Sequence, residues 1–136
     1  CLTRTLFREK REELIEKFNL LSLLDRYGHQ LSGGERRRCE VARALAVGRV
    51  GPKYLLLDEP FAGIDPIAIN DLQSLISKLK NKNIGILITD HNVRATLAIT
   101  SRAYILNQGE ILAYGSSDQL KRNQVVKDHY LGNSFD

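Results

Sequence analysis

Four short stretches of this 136-residue chain carry residue types and spacings that can act on phosphates. The first is Leu31-Ser32-Gly33-Gly34-Glu35, set just before a helix-forming run. Ser-Gly-Gly lets the backbone approach an anion closely, and a helix N-terminus offers unpaired N–H groups and the positive dipole end. The same residues also read as a plain loop and helix cap. The second is the apolar run Tyr54-Leu55-Leu56-Leu57, which ends in Asp58-Glu59-Pro60. An acid at the end of a buried strand is placed to hold hydrated magnesium, and a carboxylate one residue further on can polarise an attacking water. Two solvated acids at a strand end are the plainer alternative. The third, Phe61-Ala62-Gly63-Ile64-Asp65-Pro66, is a turn in which Asp65 can cap the helix that follows. The fourth is His91, after a strand ending Thr89-Asp90, where an imidazole can reach a phosphate.

These residues need a scaffold, and the hydrophobic pattern supplies one. Leu14, Ile15, Phe18 and Leu21 fall at helical spacing within 6–24. The segment 25–30 breaks the period, and a second helix is expected over about Gly34 to Val47, stopping near Gly48 ahead of Gly51-Pro52. Tyr54–Asp58 and Ile84–Thr89 read as strands buried on both faces of a parallel sheet. Between them Leu72, Leu75, Ile76 and Leu79 form an amphipathic stripe, which makes a βαβ unit. Ligands in open α/β sheets bind at the carboxyl edge of the strands, where Asp58 and Asp90 fall. A hairpin is expected from 103–107 and 111–114 around Gln108-Gly109-Glu110, then a helix opened by the capping box Ser116-x-x-Gln119. The order is therefore helix, loop, helix, strand, helix, strand, hairpin, helix, with no internal repeat.

Composition sets bounds. Hydrophobic residues make up 43% and charged residues 26%, ordinary for a globular domain, and no apolar run is long enough to span a membrane. The net charge of +4 owes much to Arg36-Arg37-Arg38, read as solvated surface or a patch for anionic lipid. The alternating run 8–13 reads as a solvated helix face. No aromatic residues interleave the basic ones, which argues against nucleic acid. Cys1 and Cys39 have neither zinc-ligand nor disulfide-framework spacing; they are expected as reduced thiols, with Cys39 a small helix residue.

In sequence order the four stretches resemble the motifs of the ATP-binding-cassette (ABC) ATPases. Leu31 to Glu35 is similar to the signature, Tyr54 to Glu59 to the Walker B strand, Ala62 to Asp65 to the D-loop, and His91 to the switch histidine. The resemblance covers nearly the whole chain. It implies an α/β fold, the C-terminal part of a P-loop NTPase with a parallel sheet flanked by helices. Residues 1–48 would be the end of the helical subdomain and the signature helix, and residues 49–136 the C-terminal part of the RecA-like core.

It further implies ATP and Mg2+ as cofactors. Leu31, Ser32, Gly33, Gly34 and Glu35 would meet a nucleotide held by the opposite subunit of a homodimer. Asp58 would hold magnesium through water, and Glu59 and His91 would be catalytic. Ala62, Gly63, Ile64 and Asp65 would form the interface loop. Glu35 stands where the commonest motif has Gln. No Gly-x-x-x-x-Gly-Lys-Ser/Thr occurs, which points to an excerpt of a longer ATPase and to an isolated chain without activity of its own.

Within the family, Ser32 to Arg38, Glu59 to Pro66 and Ile88 to Arg94 look most like ATPases of lipopolysaccharide export, and the tail Val126 to Gly132 with Phe135 is similar to theirs. That implies two transmembrane permease subunits and a place on the cytoplasmic face of the inner membrane. Branched-chain amino-acid importer ATPases are the nearest alternative. Soluble ABC proteins acting on nucleic acid or ribosomes are another, although no long heptad pattern flanks the signature.

Overall fold

In the computed structural model, which describes residues 2–47, 51–80 and 82–131, the first helix, α1 (Leu2–Lys17), stops short of Leu24. Asn19 adopts a left-handed φ of 51°. Around it the Leu20 N–H reaches Ile15 O at 2.8 Å and the Asn19 N–H reaches Glu16 O at 3.1 Å. This pair of bonds is the Schellman closure, and Asn is one of the few residues that tolerates the conformation it needs. Termination shifts the phase of the apolar residues. Leu14, Phe18, Leu20 and Leu23 are buried, whereas Leu21, expected on the inner stripe, is 73% exposed. Arg8 pairs with Glu12 at 3.1 Å on the solvated face, in keeping with the alternating charges.

Two single-turn 3-10 segments, Leu21–Leu23 and Gly28–Gln30, lead to α2 (Gly33–Leu45), which buries Gly34, Val41, Ala42 and Leu45. Next come β1 (Tyr54–Asp58), α3 (Pro66–Lys80) and β2 (Gly85–Thr89). The expected stripe on α3 is its buried face, with Leu72 and Leu79 each 1% exposed. The strands pair in parallel from Tyr54↔Gly85 to Asp58↔Thr89, which gives the expected βαβ unit.

The expectation that both sheet faces are covered does not hold. Leu55 is buried and Leu57, Ile86 and Ile88 half-buried, but Leu56 and Leu87, which pair with each other, are 72% and 61% exposed. One crossover helix can cover only one face of a two-stranded sheet, and among the described residues nothing covers the other. Asp58 and Thr89 share this open face with Leu56 and Leu87, by the two-residue alternation of strands.

The chain divides into two compact units, Cys1–Thr89 and Asp90–Asp136. The second contains a helix absent from the sequence expectation, α4 (Val93–Ile99), capped by Asn92, whose side chain accepts the Ala95 N–H at 3.0 Å. The hairpin follows as β3 (Arg102–Asn107) and β4 (Glu110–Ser116). Gln108 and Gly109 turn it with φ of 50° and 82°, the doubly positive geometry of a two-residue hairpin turn. The expected Ser116–Gln119 capping box opens α5 (Ser117–Arg122), and a short α6 (Gln124–Val126) and a π-type turn (Lys127–Leu131) close the described chain. Leu97, Ile105, Leu120 and Val126 make this unit's core. Cys1, the helix stop at Gly48 and the tail residues Gly132 and Phe135 lie outside the described residues.

Candidate active site

The glycine-bearing loop begins with a local clamp. The Tyr27 N–H donates to Gln30 Oε1 at 2.9 Å, and the Tyr27 ring stacks on His29 with centroids 5.8 Å apart. Leu31 is half-buried and Ser32 exposed. The Ser32 hydroxyl accepts the Glu35 N–H at 3.3 Å, while Glu35 Oε2 accepts the Ser32 N–H at 2.8 Å. This reciprocal capping box fixes how the chain enters α2. Glu35 also faces Arg26, with Nη1 to Oε1 at 3.5 Å. The Ser32 N–H, more than the nearby cations, holds the Glu35 carboxyl below the usual carboxylate range. The first N–H groups of any α-helix have no partner within the helix, so the turn of Gly33, Gly34 and Glu35 is electropositive.

The arginine triplet is largely engaged locally. Arg36 reaches Gly28 O at 3.4 Å, and Arg37 pairs with Glu40 at 2.8 Å. Beside it, burial pushes the Cys39 thiol up, which matches its reading as an unreactive helix residue.

At the end of β1, Asp58 and Glu59 are both exposed. The Thr89 hydroxyl donates to Asp58 Oδ1 across the strand pair. Glu59 occupies the left-handed region with φ 46°, an uncommon and costly state for a residue with a side chain. Two backbone bonds hold it there. Its N–H donates to Thr89 O at 2.7 Å, and its carbonyl accepts the Ala62 N–H at 3.2 Å. The bend turns the chain sharply at the strand's last pair, into the buried Pro60 and Phe61.

After Ala62, Gly63 and Ile64, the Asp65 carboxylate accepts the Ile67 and Ala68 N–H groups, each at 3.0 Å, and so caps α3. Those donors, the Ala68 N–H foremost, keep the Asp65 carboxyl below its ordinary value. The structure thus brings Leu31–Glu35, Asp58–Glu59 and Ala62–Asp65 into one unit. His91 lies in the other, exposed, with Nδ1 3.9 Å from Oδ1 of a fully buried Asp90 carboxylate that also accepts the Asn92 N–H at 2.8 Å. Thr89 is the site residue that the sequence reading missed; its signal was the strand register, which sets it opposite Asp58.

Among the described residues no group of three or more His, Cys, Asp or Glu could hold a metal ion. A single exposed carboxylate on a strand end does fit Mg2+ bound jointly with phosphate oxygens, since that ion takes one or two carboxylates and keeps its waters.

Comparison with known proteins points in the same direction as the motifs. The ABC transporter family profile matches residues 5–62. The chain is 53% identical over 128 residues to the lipopolysaccharide export system ATP-binding protein LptB of Haemophilus influenzae, an alignment covering 94% of this chain and 52% of that protein. It is 50% identical over 127 residues to the protein of that name in Escherichia coli K12, covering 93% and 52%. Over nearly its whole length this chain is thus similar to ATP-binding proteins of ABC transporters. It spans about half the length of the curated relatives it matches. A crystal structure of the ADP conformation of an ATP-binding cassette from an ABC transporter superposes with a TM-score of 0.77 at 30% identity, covering 93% of this chain and 50% of that one. The α/β architecture is therefore that of an ABC cassette, a P-loop NTPase fold.

The turns Leu31–Glu35 and Ala62–Asp65 each open a helix, and Asp58 ends the first strand. The elements that carry the three are packed within one unit. No described helix is long and apolar enough to cross a membrane.

Proposed function

We propose that this chain carries the signature, Walker B, D-loop and switch residues of an ATP-hydrolysing subunit, and that the subunit powers lipopolysaccharide export. Glu59 carries the reading, as an acid pinned in a strained backbone state beside a second acid that a hydroxyl orients. Strain at a residue held by its surroundings is a mark of a working site. Glu59 would orient and deprotonate the attacking water. Asp58 would hold Mg2+ through water, and that ion would neutralise charge on the phosphates.

Leu31, Ser32, Gly33, Gly34 and Glu35 would present the electropositive turn of α2 to a nucleotide on a second copy of the subunit. The D-loop, Ala62 to Asp65, would cross that dimer interface, and His91 would touch the terminal phosphate. Residues 1–48 would serve as helical subdomain and signature helix, and 49–136 as catalytic core. Two transmembrane permeases would hold the homodimer at the cytoplasmic face of the inner membrane. The 53% identity to a lipopolysaccharide export ATP-binding protein supports the choice of substrate.

The test is a chimera joining this chain to the part of the H. influenzae relative that the alignment leaves unmatched. It should hydrolyse ATP and restore delivery of lipopolysaccharide to the surface of cells lacking the relative. Ser32→Arg puts bulk and charge on the exposed signature turn and should abolish both. Hydrolysis without delivery would overturn the substrate, and an unaffected Ser32→Arg chimera would overturn the role of the turn.

A further inference from the structure

Both signature glycines lie against the loop and helix that follow Walker B. A Cβ built on Gly33 would sit 2.9 Å from Gly63 O and 2.9 Å from Ile64 Cγ2. One built on Gly34 would sit 2.6 Å from the Ala68 Cβ, closer than real Cβ atoms come. Gly34 is buried, and Ala68 is half-buried on the first turn of α3, where its own N–H is tied to the Asp65 carboxylate. Beside the Ile64 methyl, the obstructing atoms are a backbone carbonyl and the Ala68 Cβ, neither of which can swing aside as a flexible side-chain end would. Glycine at 33 thus lets the start of α2 lie close against the Gly63–Ile64 loop, and glycine at 34 lets it lie close against Ala68 on the first turn of α3.

We infer that Ala68 is a positioning residue. Its methyl group against Gly34 sets the distance between the signature turn and the D-loop, so that the two are carried as one rigid piece. The bareness of Gly34 is then required from inside the chain, by Ala68, independently of any nucleotide. This deepens the function proposed above, and only the activity arm of its test rests on that function.

The experiment is a size-swap cycle of Gly34→Ala, Ala68→Gly and the double variant, with thermal unfolding of the 136-residue chain as the first readout. Gly34→Ala should lower the midpoint by about 4–10 °C, as overpacking does in a close-packed contact. Ala68→Gly should cost only the few degrees of a glycine in a helix. The double variant should melt within about 2 °C of Ala68→Gly, because the obstructing carbon is gone. If Gly34→Ala proves insoluble, return of the double variant to the soluble fraction carries the same meaning. A harmless Gly34→Ala, or a double variant showing both losses in full, overturns the inference.

The second readout is ATP turnover by the chimera described above. Gly34→Ala should reduce kcat at least tenfold with KM little changed, and the double variant should recover to within about threefold of Ala68→Gly. Recovery of the midpoint without turnover would mean that the nucleotide itself demands glycine, which also overturns the inference. A wild-type chimera that hydrolyses nothing would bring down the proposed function while leaving the melting result to decide on Ala68.

Discussion

Replacing Thr89 by Val keeps a β-branched side chain on β2 and removes only the hydroxyl that donates to Asp58. A hydrogen bond to a charged acceptor contributes about 1.5–3 kcal/mol where water is excluded, but a typical net value is about 0.5–1.5 kcal/mol. Asp58 and Thr89 are both exposed, so water can take the vacated place and the lower range applies. Stability should then fall by about 1 kcal/mol, a loss of roughly 2–5 °C in Tm for a chain of this size. Function should suffer in the same proportion. The bond fixes one oxygen of the carboxylate proposed to hold magnesium through water, and 1.4 kcal/mol corresponds to about tenfold in rate. ATP turnover by the Thr89→Val chimera should therefore drop between about threefold and tenfold, with Thr89→Ser close to wild type. A Thr89→Val variant that matches wild type in both melting and turnover would refute the positioning of Asp58 by Thr89.

The caps of α2 and α3 should respond to acid. Glu35 and Asp65 have carboxyl pKa values depressed by backbone donors from 4.5 and 3.8, so their stabilisation is present above those values and is lost as pH falls through the lower folded ones. The acid limb of the Tm–pH curve below about pH 4.5 should flatten in Glu35→Gln combined with Asp65→Asn, and an unchanged slope would contradict this. The open sheet face should make the isolated chain self-associate, so Leu56→Lys with Leu87→Lys should increase the monomer fraction in sedimentation. No change in that fraction would show that this face is not sticky. Ser116→Ala removes the side-chain cap of α5 and should cost about 1 kcal/mol in a denaturant titration, against no loss if the cap is idle.

Much of the scaffold was legible because local chemistry and tertiary packing agree. The apolar run ending at Asp58 and the stripe from Leu72 to Leu79 became β1 and the buried face of α3, and Ser116 with Gln119 capped α5 as their spacing suggests. Asn19 shows where periodicity failed. A left-handed cap overrode a helical pattern that continued beyond it, and Leu21 moved from core to solvent. At seven residues, about two turns, α4 is too short for a helical period to stand out from the neighbouring strands, although Asn92 was a legible cap.

The open face of β1 and β2 was illegible for another reason. An apolar strand announces that both faces want covering, and cannot say what segment does it. The site divides along the same line. The acids and glycines were legible from type and order, whereas the Thr89–Asp58 bond and the Gly34–Ala68 approach depend on register and on two helices meeting, which spacing along the chain does not encode.

The most direct measurement of the central claim is ATP binding and turnover by the Glu59→Gln chimera. The substitution keeps the size of the side chain and removes the carboxylate proposed to act on water. ATP should still bind, turnover should fall by at least about 100-fold, the scale of a lost general base, and the ATP-bound dimer should persist in size-exclusion runs. Hydrolysis at the wild-type rate would contradict the account, because the proposed mechanism places the Glu59 carboxylate on the attacking water.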